Sequence, residues 1–428
     1  MKSLPAQFGF FVFFAILAGC GQAAVPGAPG AATFNRQAPV QHVRGAAGNA
    51  KTPIEHVIVV VQDGRSFDNL FYRYPGADWT KKGETHSHKL VPLKPITLET
   101  TGDLGLGTVL PDTYQTFLTE WNKGAMDGFD LVHFGADGSG PPAHRYPYAY
   151  VERSESKPYW DLAQQYALAD HLFSTEQAGG YTANLVLIAG STLLHHPDLF
   201  VTGATNAGGC DAPAGTHAIL NGTKKGPPPC FDFTTMADLL DAKHVSWKYY
   251  TELCTGKSHD FGCTWDAFES IEAVRYGADW KRNVSVPSAN VLRDLKGTNF
   301  PAVSWVTPTL ANSDNAVSGS KTGPAWVISI VDAVKASRYW KQTAIVVVWG
   351  DWGGFYDNLP PPADGGLYLS MRVPMLVVSP YAKSDYVSHT QYELASILKF
   401  IEYNWSLGSL DSTDRRAANI LDMFDFGR

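Results

Sequence analysis

The sequence predicts an α/β fold in which helices cover both faces of a mainly parallel β-sheet. Short β-branched runs such as residues 344–348 (AIVVV) are too short for helices and are typical of strands buried on both faces. These runs alternate with segments of helical periodicity, which is the order expected of a parallel sheet. Two of the runs end abruptly in aspartate and glycine, so we expect a ligand site at the carboxyl edge of the sheet.

The first predicted strand, residues 54–62 (IEHVIVVVQ), leads directly into Asp63 and Gly64. A helix over residues 159–166 then precedes a strand over 167–173 (ALADHLF), and another helix starts within residues 183–189. A capped helix over residues 234–242 (TTMADLLDA) precedes a strand over 245–250. Residues 302–307 (AVSWVT) are predicted to form a further strand.

The C-terminal elements repeat this alternation. A helix over residues 326–337 carries apolar residues three and four positions apart and leads into the central strand at 344–348. Residues 373–379 (VPMLVVS) form the last buried strand, and residues 391–405 form a long amphipathic helix. A chain of 428 residues with 44% hydrophobic content can bury a large core. Its net charge of -7 and its lack of a Lys/Arg run argue against nucleic acid as a partner.

The N-terminus is predicted to be a targeting segment. An apolar run over residues 8–17 follows Lys2 and ends in Leu17-Ala18-Gly19-Cys20, which resembles the lipobox of bacterial lipoproteins. We therefore divide the chain into a signal peptide at 1–20, a flexible Gly/Ala/Pro-rich linker at 21–52 and a folded domain at 53–428. Cys20 would carry the lipid that binds the membrane. The alternative is an ordinary secretory signal cleaved near Ala23, and both place the protein in the bacterial envelope, in the outer membrane or the periplasm.

Four further cysteines follow in loops rich in Gly, Pro and Asn. Their even number in an exported chain favours disulfides. The short spacings favour Cys210 with Cys230 and Cys254 with Cys263, one of three pairings that four cysteines allow. No CxxC spacing supports a zinc site made of these cysteines.

Several segments together resemble the phosphoesterase family of bacterial non-haemolytic phospholipases C and respiratory-burst-inhibiting acid phosphatases. The segments are residues 54–71, 150–192, 304–315, 344–362 and 372–405, among them WVTP, WGGFYD and SPYA. The resemblance implies an alkaline-phosphatase-like α/β fold. It also implies hydrolysis of phosphate esters such as phospholipid head groups, by a Ser or Thr nucleophile next to a bound metal, through a covalent phosphoryl-enzyme.

When the family's functional residues are aligned one by one with this sequence, several of the aligned positions have no reactive side chain. The nucleophile falls on Gly180, and the histidine four residues later falls on Asn184. The Ser-Asp-His of the WVTP segment becomes Ser313-Asp314-Asn315, and Asn358 replaces the histidine that follows the FYD motif. The resemblance therefore predicts impaired catalysis, because glycine cannot attack phosphorus.

The metal-ligand positions are also depleted. The first pair of ligands falls on Asp63 and Gly64, and the second on Gly350 and Asp351. Asp63 and Asp351 could hold a divalent metal weakly, or they could be loop or helix-capping aspartates. The expected cofactor is therefore a weakly bound divalent metal or none.

Other residues could replace the missing nucleophile. Thr182 lies two residues beyond Gly180, although we expect it to cap the following helix. His144, His171 and His389 could face the pocket, but a lone histidine is more often an ordinary hydrogen-bonded residue. The residues around Arg65 and Gly354 match the family motifs fully, and we interpret them as structural residues that form and support the turn.

Three functions remain open from the sequence. The first is a phosphoesterase whose activity is impaired or that uses a displaced hydroxyl. The second is an envelope lipoprotein that binds a phosphate or a phospholipid head group without catalysis. The third is an envelope protein that keeps only the scaffold.

Overall fold

The computed structural model describes residues 50–99, 109–194, 199–205, 208–255, 262–364 and 367–427. The predicted signal peptide, including Cys20, and nearly all of the predicted linker lie outside these residues. Within the described ranges, no helix has the length and apolar character needed to cross a membrane.

The secondary structure consists of many short elements around a few long ones. The strands are β1 His56–Gln62, β2 Lys82–Glu84, β3 Leu90–Pro92, β4 Lys94–Ile96, β5 Ala149–Val151, β6 Ala167–Phe173, β7 Val201–Ala204, β8 Ala218–Leu220, β9 Lys224–Lys225, β10 Trp247–Tyr250, β11 Val284–Ser285, β12 Val303–Val306, β13 Thr343–Trp349, β14 Ala363–Asp364, β15 Leu367–Tyr368, β16 Arg372–Val378, β17 Tyr386–Ser388 and β18 Tyr392–Glu393. The α-helices are α1 Phe67–Leu70, α2 Tyr114–Trp121, α3 Arg153–Gln165, α4 Gly180–Ala189, α5 Met236–Ala242, α6 Gly262–Trp265, α7 Glu272–Arg275, α8 Ala278–Asn283, α9 Asn290–Asp294, α10 Gly323–Ala336, α11 Ala395–Trp405 and α12 Ser412–Arg416. Short 3-10 helices lie at Asn122–Gly124, Phe129–Leu131, Gly209–Asp211, Ala267–Ser270, Leu310–Asn312, Ala316–Ser318, Trp340–Gln342 and Ile420–Met423.

A nine-stranded sheet forms the centre of the molecule. Its order is β11-β10-β12-β1-β13-β16-β6-β17, and β18 also pairs with β6. Only β16 runs antiparallel to its neighbours in this sheet. Every residue of β1, β13 and β16 is buried, so both faces of the sheet are covered. Helix α3 packs against α10, and α4 packs against α11. The predicted α/β fold with a mainly parallel sheet is confirmed.

Four predicted helix starts were wrong by three residues or more. Helix α10 begins at Gly323 and not at residue 326. Helix α3 begins at Arg153 and contains Pro158, so the prediction started it one residue after this proline. Helix α4 begins at Gly180 with Gly179 as its N-cap, so Thr182 lies inside the first turn and does not cap the helix. Helix α11 begins at Ala395, because Tyr392 and the residue after it pair with β6 as β18.

The sheet brings the segments that follow four strands to one edge. Strands β12, β1 and β13 are parallel neighbours, and β6 runs in the same direction because antiparallel β16 separates it from β13. The β1 and β13 registers end together at Gln62 and Trp349, so Asp63 and Gly350 follow side by side. The carboxyl ends of these strands therefore supply a common site.

Both predicted disulfides are present. Cys210 is bonded to Cys230, and Cys254 is bonded to Cys263. The second bond lies at the start of α6, two residues before Trp265. It therefore anchors the segment that brings Trp265 into the site described next.

Candidate active site

A cavity of about 340 Å³ opens at this edge of the sheet. Three of the predicted site residues line it, namely Asp63, Gly180 and Asn315. Asp112 and Trp265 line it as well, and the sequence analysis missed both. Among the described residues of the lining, Asp63 and Asp112 are the only charged ones. The cavity is therefore acidic, and a bare phosphate would be repelled from it.

Asp63 is the buried acid at the centre of the site. Trp265 Nε1 donates a hydrogen bond of 3.1 Å to its Oδ2, whereas Oδ1 is buried without a well-oriented donor among the described residues. Burial raises the pKa of Asp63, and hydrogen bonds from Asp351, Trp265, Asn315 and the Gly64 backbone oppose that rise. The carboxyl group is thus held in place but incompletely satisfied.

Asp351 and Asp112 complete a row of three acids. Asp351 Oδ1 accepts a 2.8 Å hydrogen bond from the Gly353 backbone NH, and its buried Oδ2 has no ordinary donor among the described residues. Burial, and then the charge of Asp63, raise the pKa of Asp351 well above its usual value. The pKa of Asp112 rises to about 6, chiefly through burial and then through the charge of Asp63. Burial and the neighbouring charge of Asp63 therefore favour the protonated form of Asp351.

Gly180 lies directly beneath the Asp63 carboxylate. A Cβ atom built on Gly180 would lie 2.4 Å from Asp63 Oδ2 and 3.0 Å from Asp63 Oδ1. These distances are shorter than ordinary carbon–oxygen contacts, so no side chain fits here unless Asp63 moves. The predicted nucleophile position therefore has no side chain, and the space next to it is already filled.

The other two glycine positions are also confined. Gly64 has a φ of +69°, and a Cβ atom there would lie 3.0–3.1 Å from Asn315. A Cβ atom on Gly350 would lie 3.0 Å from the Ala183 Cβ and 3.6 Å from Asp63 Oδ1. Neighbouring residues thus leave little space for a side chain at these two predicted ligand positions.

Two predicted site residues have other roles. The Thr182 hydroxyl is buried and donates to the Val201 carbonyl at 3.0 Å, and Thr182 does not line the cavity. The Asn184 amide donates to the Gly180 carbonyl at 2.7 Å, within the first turn of α4. Thr182 thus ties the first turn of α4 to β7, Asn184 stabilises the backbone at Gly180, and neither residue lines the cavity.

Four other hydroxyl groups belong to residues that line the cavity. Tyr181 is hydrogen-bonded to a serine, Thr113 caps α2, and Thr202 donates to a backbone carbonyl. Thr264, half-buried next to Trp265, makes no side-chain hydrogen bond to the described residues. It is the lining hydroxyl most available for chemistry, and its place in the four-residue helix α6, far along the chain, gave no signal in the sequence.

The matching motifs behave as scaffold. The Ser66 hydroxyl caps α1 and donates to the Tyr356 carbonyl at 2.7 Å. Buried Arg372 donates to Asp357 Oδ1 at 2.8 Å and to Asn358 Oδ1 at 2.9 Å. Asn358, which the sequence analysis aligned with a histidine of the family, thus supports this arginine.

The carboxylate oxygens of Asp63, Asp351 and Asp112 meet the needs of a hard divalent cation only in part. The unpartnered oxygens of Asp63 and Asp351 are suitable ligands. In the described part of the chain, however, only one group of three or more His, Cys, Asp or Glu ligand atoms lies within 4.8 Å, and it is elsewhere. Two carboxylates from the chain are therefore available here, which favours weak binding with water as the remaining ligands.

His144, His171 and His389 do not line this cavity. His144 lies at a separate small surface depression with Asp130. His171 and His389 instead meet each other at a different edge of the sheet, with ring centroids 5.8 Å apart.

Comparisons with known proteins agree with the resemblance in the sequence. The family model described as the Phosphoesterase family matches residues 54–408. The chain is 24% identical to the non-hemolytic phospholipase C of Burkholderia pseudomallei, over 86% of this chain and 57% of that protein. It is 23% identical to phospholipase C B of Mycobacterium tuberculosis, over 87% of this chain and 77% of that protein. The chain thus spans little more than half the length of the Burkholderia relative.

A solved structure of a protein in the alkaline phosphatase superfamily from Vibrio parahaemolyticus is also similar. The TM-score is 0.39 at 11% sequence identity, over 90% of this chain and 75% of that one.

Proposed function

The chain belongs to the phosphoesterase family, and from that premise we propose that it is an exported member with impaired or lost hydrolysis. The observation that carries the proposal is the position of Gly180. Gly180, the residue to which the resemblance transfers the nucleophile, lines the cavity, and the Asp63 carboxylate occupies the space into which a side chain would extend. A hydroxyl at this position would be fixed for attack on phosphorus, and a loosely held water molecule is not.

The charge of the site also argues against efficient catalysis. Phosphoryl transfer depends mainly on stabilising negative charge in the transition state. Here the charged residues described in the lining are both acids, and two of the predicted ligand positions, Gly64 and Gly350, have no side chain. The site would have to neutralise its own carboxylates before it could stabilise a phosphoryl group.

Binding without turnover is the second candidate function. A divalent cation between Asp63 and Asp351 would neutralise these acids and accept the oxygens of a phosphate ester. The unpartnered carboxylate oxygens support this candidate. The chain's own part would be to orient that ion, with Trp265 fixing one oxygen of Asp63.

Hydrolysis of p-nitrophenyl phosphate and p-nitrophenylphosphorylcholine by the purified protein tests the proposal. We expect rates near background with and without added Mg²⁺, Ca²⁺ or Zn²⁺. Robust hydrolysis that is abolished by Asp63→Ala would show that this site is active and would overturn the proposal.

If hydrolysis is found, two variants identify the hydroxyl. Thr264→Val removes the lining hydroxyl that makes no hydrogen bond to the described residues, whereas Thr182→Val removes the one that is bonded to Val201. Loss of activity in Thr264→Val alone would identify a displaced nucleophile. Calorimetric titration with phosphorylcholine in the presence of each cation separates binding from a scaffold role.

A further inference from the structure

Four side chains from three separate segments converge at the β17 side of the main sheet. They are Asp78, Asp170, His171 and His389. We propose that this cluster is a zinc-binding site, distinct from the acidic cavity. None of its four residues lines that cavity.

A β-bulge explains how two adjacent strand residues serve one site. Successive residues of a regular strand point to opposite faces of a sheet. The register between β6 and β16 shifts between Val373 and Met375, so Asp170 and His171 together oppose Pro374. Proline has no NH to donate to the ladder, and a bulge redirects the side chains on the bulged strand. Both Asp170 and His171 can therefore contribute to the same cluster.

An interruption on the other side of β6 supplies the third segment. Strand β17 pairs with β6 as far as Ala169, and β18 resumes the pairing at Leu172. Residues 389–391 lie between these two short strands, next to Asp170 and His171. His389 is thus placed at the position where the ladder on β6 is open.

The four ligand atoms are close enough for one ion. His171 Nε2 lies 2.8 Å from Asp78 Oδ2, and His389 Nδ1 lies 2.9 Å from Asp170 Oδ2. His171 Nε2 lies 4.0 Å from Asp170 Oδ1, and one ligand atom from each residue falls within 4.8 Å of all the others. Tetrahedral zinc with bonds of about 2.0–2.1 Å separates its ligand atoms by about 3.4 Å. Small side-chain rotations would therefore suffice.

Arg372 holds the two carboxylate residues in place through their backbones. Its guanidinium donates to the carbonyls of Asp78 and Asp170 at 2.9 and 3.0 Å. The Asp78 backbone NH also donates to Asp170 Oδ2 at 2.8 Å. Such groups behind the ligands fix their orientation and strengthen metal binding.

The composition of the cluster favours zinc over magnesium or calcium. Two imidazole nitrogens and two carboxylate oxygens suit zinc, whereas magnesium and calcium prefer oxygen ligands alone. Isolated histidine–carboxylate pairs also occur, at His86 with Asp130 and at His88 with Glu84. Within the described ranges, only the cluster on β6 combines two such pairs.

Isothermal titration of the chelator-treated full-length protein with ZnCl₂ tests the proposal. We expect a zinc-binding event with a stoichiometry of one, and visible absorption of tetrahedral Co²⁺ when cobalt replaces zinc. His389, whose side chain is 56% exposed, can be replaced without disturbing the core. His389→Ala should weaken the event by at least about tenfold, which is the loss seen even when only a supporting group is removed.

Matched variants localise the site. His88→Ala removes an exposed histidine from an isolated pair and should leave zinc binding unchanged. Asp63→Asn removes a ligand of the weak cation site considered for the acidic cavity, so it should remove only zinc bound there and keep the event that depends on His389. The test is therefore independent of the proposed function. His171→Ala, with folding checked by circular dichroism, should repeat the His389→Ala result. Absence of zinc binding, or binding that Asp63→Asn abolishes and His389→Ala does not affect, would overturn the proposal.

Discussion

Substitution of Gly180 measures how completely the Asp63 carboxylate fills the nucleophile position. The Cβ atom of Gly180→Ala would begin 2.4 Å from Asp63 Oδ2, so the carboxylate must retreat by about 1 Å to reach van der Waals contact. This movement strains or breaks the 3.1 Å hydrogen bond from Trp265. Overpacking costs about 1–3 kcal/mol, and the better helix propensity of alanine returns at most about 1 kcal/mol. We expect the free energy of unfolding to fall by about 1–2 kcal/mol.

Urea unfolding of Gly180→Ala, Asp63→Ala and the double variant forms the assay. If the two side chains compete for one space, the double-mutant cycle should give a coupling energy of about 1–2 kcal/mol. Gly408→Ala is the control, because a Cβ atom there meets nothing within 4 Å. Its effect should stay within about 0.5 kcal/mol. A Gly180→Ala variant as stable as the parent, with no coupling to Asp63, would refute the assigned geometry.

Gly180→Ser extends the same assay to catalysis. The new hydroxyl would share the space with Asp63, and a reacting atom misplaced by about 1 Å loses on the order of a hundredfold in rate. We therefore expect hydrolysis to stay near background. A large gain in activity from this single substitution would show that Asp63 moves aside easily.

Three further predictions concern titration, covalent bonds and processing. The pKa of Asp112 is raised from 3.8 to about 6 in the folded protein, so its contribution to stability is present below about pH 4 and is lost as the pH rises through about 6. The Asp112→Asn variant should therefore become more stable relative to the parent protein between pH 4 and 7. The gain should be at most about 3 kcal/mol, because the group is only half-buried. A constant difference across this range would contradict the shift. Thiol titration of the unfolded, unreduced mature protein should find no free thiol, and two or four thiols would contradict the pairing. The two disulfides close loops of 20 and 9 residues, so reduction of each should lower the free energy of unfolding by about 3 kcal/mol. Mass spectrometry of the mature N-terminus should find acylated Cys20, and a free amine at a later residue would refute lipidation.

The sequence predicted the parts of the fold that depend on local patterns. Runs of buried β-branched residues located β1 and β13 to within two residues, and the spacing of the cysteines identified both disulfides. The start of α4 was misplaced because Thr182 is a good capping residue, whereas glycine gives little helical signal. Local preference was overridden there by the packing of the first turn against Asp63.

The candidate site was only partly predictable, because much of it depends on contacts between distant segments. Asp63 and Asp351 could be located because they follow strands. Asp112 comes from a loop and Trp265 from the four-residue helix α6, neither of which has a detectable periodicity, and they reach the cavity only in the folded chain. His171 and His389 were recognised as candidates, yet a β-bulge and a broken edge strand place them together at another site.

The short outer strands of the main sheet have a consequence for how the protein behaves at high concentration. One side ends in the two-residue β11, and the other ends in β17 and β18, with three and two residues. On either side of the sheet, a strand from a second chain could pair with only a few backbone NH and carbonyl groups. Long unpaired strands act as templates for amyloid-like growth, and short ones do not. The architecture thus limits self-association through strand addition, while the long strands in the middle remain sealed from it.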